Sequence, residues 1–318
     1  MSQRYLYWSS LEQYELCPRS FLWGHGYGTL DLGRGPGRSK AKPVQDSKHH
    51  AVMGIVLARA IEHLYNDEMW REPETLVQKL TDLVTREFTF ALNEHYIDWN
   101  EAPPKSEMLD VCLKGVTGYL KTMKANRLLG PYAKSEVDLT AWVDQYTPVG
   151  GRPDVIVRRD DTGITILDGK NSLTPGKYTN PDQLRWYALC FYLAYNTLPN
   201  RLAFVYFRYP EGTPPKDHPE GAPWTGLVEV PFTREDLKTI GVRAKETHRA
   251  MQKELFDPSP SAKACRFCDY KTVCDAAHQP TPRKPKSLPV VEGTVEHTIS
   301  NSDGIVEFGF DVGVKTKP

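Results

Sequence analysis

Asp154, Asp168 and Lys170 are residues whose types and spacing suit chemistry. They lie within GGRPDVIVRRDDTGITILDGKN, residues 150–171. Val155, Ile156 and Val157 make a β-branched run. Asp160-Asp161-Thr162-Gly163 reads as a turn, and Ile164, Ile166 and Leu167 make a second apolar run, so the pattern predicts a hairpin. Asp154 opens the first strand. Asp168 and Lys170 close the second, one residue apart, so their side chains share a face. Strand pairing would set the two carboxylates side by side. Two carboxylates with a nearby amine suit a divalent cation and an activated water. Acids beside turns also decorate ordinary surface hairpins, so the hairpin alone leaves both readings open.

A second constellation is CRFCDYKTVC. Cys265, Cys268 and Cys274 follow a C-x2-C-x5-C spacing, which points to a metal or cluster. Three thiolates leave a tetrahedral site one ligand short. Cys17, followed by Pro18 in an aromatic-rich stretch, is the candidate fourth, because Cys112 and Cys190 fall in apolar helical stripes. Four thiolates suit structural zinc and a [4Fe–4S] cluster equally well. Either would tie the start of the chain to its end and restrain the unfolded state.

The elements that must position these groups follow from composition and periodicity. The chain has 318 residues, with 40 Lys+Arg against 40 Asp+Glu, so no global basic charge advertises nucleic acid, although a local patch suffices to bind it. It is 40% hydrophobic and 25% charged, as a globular protein is. Neither a membrane-length apolar run nor a signal-peptide core is present, so we expect a cytoplasmic protein with no membrane partner, where disulfides are disfavoured.

Residues 4–23 read as a short helix capped by Ser9 or Ser10, and 24–48 as a Gly- and Lys/Arg-rich loop. Three helices follow, with stripes at Val52, Val56, Ala60 and Leu64, then Leu76, Leu80, Leu83, Phe88 and Leu92, then Met108, Cys112, Val116, Tyr119, Leu120 and Met123. Glu62 and His63 sit on the first of them. Val137, Leu139, Ala141 and Val143 alternate as one strand, with Glu136 at its start. After the hairpin come a helix at 181–196, strands at 201–209 and 227–232, and a helix to about residue 255, capped by Thr233 with Asp236 in the box position. From residue 279 the composition is that of a tail, with a short strand at 304–310. The order implies an α/β fold, a mixed β-sheet flanked by helices on both faces.

The chain resembles the RecB-like branch of the PD-(D/E)XK nuclease superfamily. It is similar to the iron–sulfur exonucleases among CRISPR-associated, helicase-nuclease and phage recombination proteins. SSLEQYELCPRSF resembles that group's S-x-L-x-x-Y-x-x-C-P-x-x-F entry; Arg152-Pro153-Asp154 its first acidic motif; Asp168-Gly169-Lys170 its D/E-x-K; Gln183 to Tyr187 its Q-x-x-x-Y helix; and the cysteine triad its cluster motif. The resemblance implies a restriction-endonuclease-like core and a [4Fe–4S] cluster on Cys17, Cys265, Cys268 and Cys274. It also implies Mg²⁺ or Mn²⁺ on Asp154, Asp168 and the Gly169 carbonyl, with Lys170, Gln183 and Tyr187 completing the catalytic set. The nuclease domain would span 1–278, with a helical insertion at about 50–128, a catalytic core at about 130–255 and a tail at 279–318. The family's metal-binding histidine, a turn after a glycine, falls here on Ala58; His49, His50 or His63 would have to substitute. Glu136 reads as an ordinary strand-end acid, with an outer ligand as the alternative.

The function so implied is a metal-dependent DNA exonuclease that acts on single-stranded ends and leaves a 5′-phosphate and a 3′-hydroxyl. It would serve recombination, repair or CRISPR-type processing, with a helicase, recombinase or CRISPR-adaptation protein as partner. The alternative is a non-catalytic DNA-end-binding or assembly subunit with the same fold. A restriction-type endonuclease of the superfamily is a third reading.

Overall fold

The computed structural model describes residues 5–25, 49–95, 97, 99–100, 102–172, 179–266, 268–271 and 274–277, and the backbone of 295–300 and 306–310. The chain divides into two units, Met1–Ala276 and Ala277–Pro318.

The first unit begins with β1 (Leu6–Tyr7), α1 (Trp8–Leu16) and α2 (Pro18–His25). The single helix expected over 4–23 is therefore two. Pro18 pushes the residue before it out of the helical region, and Cys17 is extended at φ −162°. Neither Ser9 nor Ser10 caps; both lie inside α1, whose N-cap is Tyr7 without a side-chain bond. The three expected helices are α3 (His49–Asn66), α4 (Leu76–Glu94) and α5 (Lys105–Ala125), with a 3₁₀ turn at Met69–Arg71. Their predicted stripes are buried, apart from a half-buried Leu92.

The strand expected from Val137 to Val143 is also divided. β2 (Ala133–Ser135) and β3 (Leu139–Trp142) belong to different sheets. Glu136 lies between them at φ +51°, a left-handed conformation that turns the chain out of one sheet and into the other. β4 (Pro148–Gly151) follows, then the hairpin β5 (Val155–Arg159) and β6 (Gly163–Lys170), α6 (Pro181–Tyr195), β7 (Arg201–Tyr206), β8 (Leu227–Glu229), α7 (Arg234–Gln252) and α8 (Ala262–Arg266). Gly163 closes the hairpin turn at φ +75°, where a side chain would strike Asn200.

The main sheet has the order β2-β5-β6-β7-β8, with β6 and β7 parallel and the other pairs antiparallel. The second sheet, β1-β4-β3, pairs β1 with β4 in parallel and β3 with β4 antiparallel. Alternation along the main strands sends side chains to two cores. Val155, Val157, Leu167, Ala203 and Val205 pack against α3, α4 and α5. Ile156, Ile166, Leu202, Phe204 and Tyr206 pack against α1, α6, α7 and the small sheet. The α/β class with a mixed sheet between helices is as the sequence pattern implied. No helix among the described residues is long and apolar enough to cross a membrane.

In the second unit β9 (Val295–Ser300) and β10 (Val306–Phe310) form an antiparallel hairpin with a register shift at Gly309/Phe310.

Candidate active site

The site gathers at the C-terminal end of β6. The β5–β6 register pairs Val155 with Leu167, which sets Asp154 across from Asp168 at the end of the ladder. Asp154 Oδ2 accepts the Gly169 N–H at 2.6 Å. Gly169 is the residue that fits between Asp168 and Lys170, because a Cβ there would lie 2.4 Å from Cζ of Phe207.

Asp168 is 3% exposed. Lys170 Nζ pairs with its Oδ2 at 2.5 Å, although among the described residues no donor is aligned on that oxygen for a well-formed hydrogen bond. The other oxygen, Oδ1, accepts from Gln183 Nε2 at 3.0 Å. Gln183 Oε1 in turn accepts from Lys170 Nζ at 2.9 Å, and its Nε2 also reaches the Tyr187 hydroxyl at 3.1 Å. The amide orientation follows from chemistry, since ammonium only donates and carboxylate only accepts. One side chain thus holds the acid and the base of the D-x-K pair together.

Gln183 can do this because Asn180 caps α6, accepting the Asp182 N–H, and Pro181 starts the helix, so Gln183 leaves its first turn facing β6. Tyr187 lies one turn on, on the same side. The Lys170 ammonium also sits 5.3 Å from the centroid of the Phe204 ring.

The electrostatics are those of a carboxylate pair with too little positive charge. Burial, followed by the neighbouring Asp168 carboxylate, pushes Asp154 well above the usual carboxylate range. Burial raises Asp168 too, and Lys170 opposes the rise. Glu136 is raised by burial, with Arg152 opposing and Glu62, Asp138 and Asp168 adding to it. Its N–H donates to the Asp154 carbonyl at 3.1 Å, and its carboxylate pairs with Arg152 at 2.9 Å. Residues predicted from the D-x-K and Q-x-x-x-Y motifs are therefore together. Two further acids, Glu136 and Glu62, belong to the same field. Glu62 carried only a weak sequence signal: it is a half-buried acid on an otherwise apolar helix, one turn after Ala58 and off the buried stripe. The Ser135 hydroxyl binds the Glu62 carbonyl at 3.3 Å and ties α3 to β2 here.

The histidines do not fill the place of Ala58. His63 turns to Asp67 at 2.8 Å, and His49 and His50 lie against each other at the start of α3. Ala58 is exposed, one turn before Glu62.

A divalent cation is tested by the donor set. Asp154 and Asp168 offer hard oxygens, burial disfavours their joint ionisation, and Oδ2 of Asp168 lacks an aligned donor. These features fit a hard cation that completes its shell with carbonyl, water and substrate oxygens. Among the described residues no group of three or more His, Cys, Asp or Glu is placed to hold a metal ion. The acid pair falls below that number. For the cysteines it is a difference from expectation. The segments do meet: Cys268 Sγ is 3.7 Å from Ser20 Oγ, Tyr270 donates to the Trp23 carbonyl at 2.9 Å, and Arg19 pairs with Asp275 at 2.6 Å. The four thiols nevertheless do not form a ligand group. Cys112 and Cys190 are fully buried, as their apolar stripes imply.

The family model described as the PD-(D/E)XK nuclease superfamily matches residues 8–275, which include both acids, Lys170, Gln183 and the cysteine triad. The chain belongs to this superfamily. That membership indicates a metal-dependent nuclease and agrees with the mixed sheet flanked by helices. The nuclease is also similar to a solved structure described as "Crystal structure of SSO0001", at 14% identity over 76% of this chain and 92% of that one, with a TM-score of 0.32. No curated protein matches the chain.

Proposed function

We propose that this nuclease is a Mg²⁺- or Mn²⁺-dependent DNA exonuclease of the RecB-like branch, acting on single-stranded ends in recombination, repair or CRISPR-type processing. The observation that carries the reading is the Gln183 bridge, which joins Asp168, Lys170 and Tyr187 in one network. A cation on Asp154, Asp168 and the Gly169 carbonyl would supply Lewis acidity at the scissile phosphate and lower the pKa of an attacking water. Lys170 orients that water and offsets charge growing on the phosphate. Gln183 keeps the Lys170 ammonium in place, and Tyr187 buttresses Gln183. In-line attack leaves a 5′-phosphate and a 3′-hydroxyl.

The test uses labelled single-stranded, double-stranded and closed circular DNA with Mn²⁺. Wild type should degrade linear strands and spare the circle, while Asp168→Ala and Lys170→Ala should be folded and inactive. Cleavage of the circle would replace the exonuclease reading with an endonuclease. Full activity in either variant would sink the mechanism.

A second reading is a non-catalytic DNA-end-binding or assembly subunit. Ala58 favours it, since it leaves the expected histidine position without a ligand and His63 is turned to Asp67. Wild type would then bind DNA ends without cutting them.

We also propose that Cys17, Cys265, Cys268 and Cys274 take up a [4Fe–4S] cluster, or structural zinc, through a local rearrangement. The support is the contact of Cys268, Tyr270 and Asp275 with α2, the helix that follows Cys17. Brown protein absorbing near ~400 nm would identify iron–sulfur; colourless protein with stoichiometric zinc would identify zinc. Metal-free protein with full stability would reject both.

A further inference from the structure

The Lys170–Gln183 network lies on the α6 side of β6. On the α5 side, beyond the same C-terminal end of β6 and β7, a groove of about 550 Å³ opens between α5 and the turn at 207–210. Phe207 and Pro210 line it from the turn. Lys114, Thr117 and Lys121 line it from α5, spaced so that they share one helix face. The helix approaches closely because it carries glycine here: a Cβ on Gly118 would lie 3.0 Å from Cβ of Pro210.

Arg208 also lines the groove and is half-buried. Its Nε donates to the Asn171 carbonyl at 3.3 Å and to Asn171 Oδ1 at 3.1 Å. Its two terminal amino groups have no hydrogen-bond or carboxylate partner among the described residues. Other arginines near the site are neutralised: Arg152 by Glu136, Arg185 by Asp182, Arg243 by Glu15 and Asp182. The rim lysines are also paired, Lys114 with Asp110 and Lys121 with Glu211, the latter loosely at 3.4 Å. Asn171 Nδ2, buried beside the guanidinium, likewise has no acceptor among the described residues. The groove thus offers a planar cation with its outer edge open, unfilled donors and an apolar wall. A guanidinium half out of water without a counter-ion is costly, and an anion with two oxygens in one plane relieves that cost.

We propose that this groove is a phosphate subsite for the nucleic-acid strand, with Arg208 gripping the anion through its open edge. The inference rests on the nuclease reading and deepens it. Because Arg208 is anchored on Asn171, the residue after Lys170, the subsite is coupled in position to the catalytic lysine. The anion is either an internal phosphodiester or a terminal phosphate; both present the same oxygens.

The test is binding of dye-labelled single-stranded oligonucleotides to the full-length protein, with Ca²⁺ in place of Mg²⁺, at several salt concentrations. The strands carry a 5′-phosphate, a 3′-phosphate or only hydroxyl ends. Arg208→Gln should weaken binding about 10- to 100-fold and reduce the salt slope by about 0.7, the share of one phosphate contact on a single strand. Arg208→Lys should recover part of the affinity, since charge returns without the fork. Equal loss for all three strands assigns an internal phosphate. Loss confined to one phosphorylated end assigns that end.

Wild-type affinity and salt slope in Arg208→Gln would overturn the proposal, even if turnover falls, because that pattern belongs to a residue that only positions Lys170. Should Arg208→Gln fail to fold, Arg208→Lys carries the test through affinity, since it keeps the charge and loses the fork, and wild-type affinity in Arg208→Lys rejects the subsite. Failure of wild type to bind any strand rejects it as well. Cleavage plays no part in this measurement. Wild type that binds through Arg208 but never cuts would refute the nuclease reading and leave the subsite standing.

Discussion

Gly169→Ala isolates the steric condition on the site. Gly169 is not in a left-handed conformation, so alanine suffers no backbone penalty there. The new Cβ would lie 2.4 Å from Cζ of Phe207 and about 3.1–3.2 Å from the ring's two Cε atoms. Phe207 is 4% exposed and packs against Tyr119, ring centroids 5.8 Å apart, so its ring has little room to retreat. Overpacking of this kind costs about 1–3 kcal/mol. For a domain of this size each kcal/mol lowers the melting temperature by roughly 2–4 °C. The strand must also shift, and Gly169 separates Asp168 from Lys170. A displacement on the order of 1 Å at the reacting groups costs about 100-fold in rate. Thermal melts and single-turnover cleavage measure the two losses. The double variant Gly169→Ala/Phe207→Leu should be more stable than the sum of the single losses predicts, by on the order of 1 kcal/mol, because the leucine vacates the clash. Wild-type melting and turnover in Gly169→Ala, or additive losses in the double variant, would refute the steric account.

Gln183→Ala should lower turnover more than DNA affinity and cost about 1–3 kcal/mol of stability, because Asp168 Oδ1 loses its donor in a buried place; equal stability and full turnover would show that the bridge is incidental. Burial lowers the pKa of His248, which is 7% exposed, so the folded state keeps it neutral where the unfolded chain takes a proton. Its effect is therefore a loss of stability as pH falls below about 6.5, and His248→Leu should flatten the melting temperature between about pH 7.5 and 5.5; an unchanged pH dependence would contradict this. Thr233→Ala removes the capping box at the start of α7 and should cost about 1 kcal/mol in urea unfolding without altering cleavage.

Much of the fold was legible because local periodicity and burial agree. The stripes of α3, α4 and α5 and the β5–β6 hairpin follow from apolar spacing and a glycine turn. The misreadings lie where one residue changes the direction of the chain. Pro18 breaks the first helix at Cys17, and Glu136 in its left-handed conformation sends β2 and β3 to separate sheets. The small sheet β1-β4-β3 was not legible, since Pro148–Gly151 has no alternating pattern and one of its two partners, β1, lies far along the chain. The cysteine spacing suggested a closed ligand set, but spacing says nothing of where the thiols meet.

The sequence by itself determined the residues available for chemistry. The D-x-K pair shares a face because side chains alternate along a strand, and Gln183 and Tyr187 share a face because a helix turns every ~3.6 residues. These are short-range consequences of backbone geometry. Tertiary structure alone decided that Gln183 bridges Asp168 and Lys170, that Phe207 leaves room only for glycine between them, that Glu62 and Glu136 join their field, and that Arg208 faces a groove with no counter-ion among the described residues. Those facts depend on contacts between residues distant in the chain, which local periodicity does not encode and packing around two cores does.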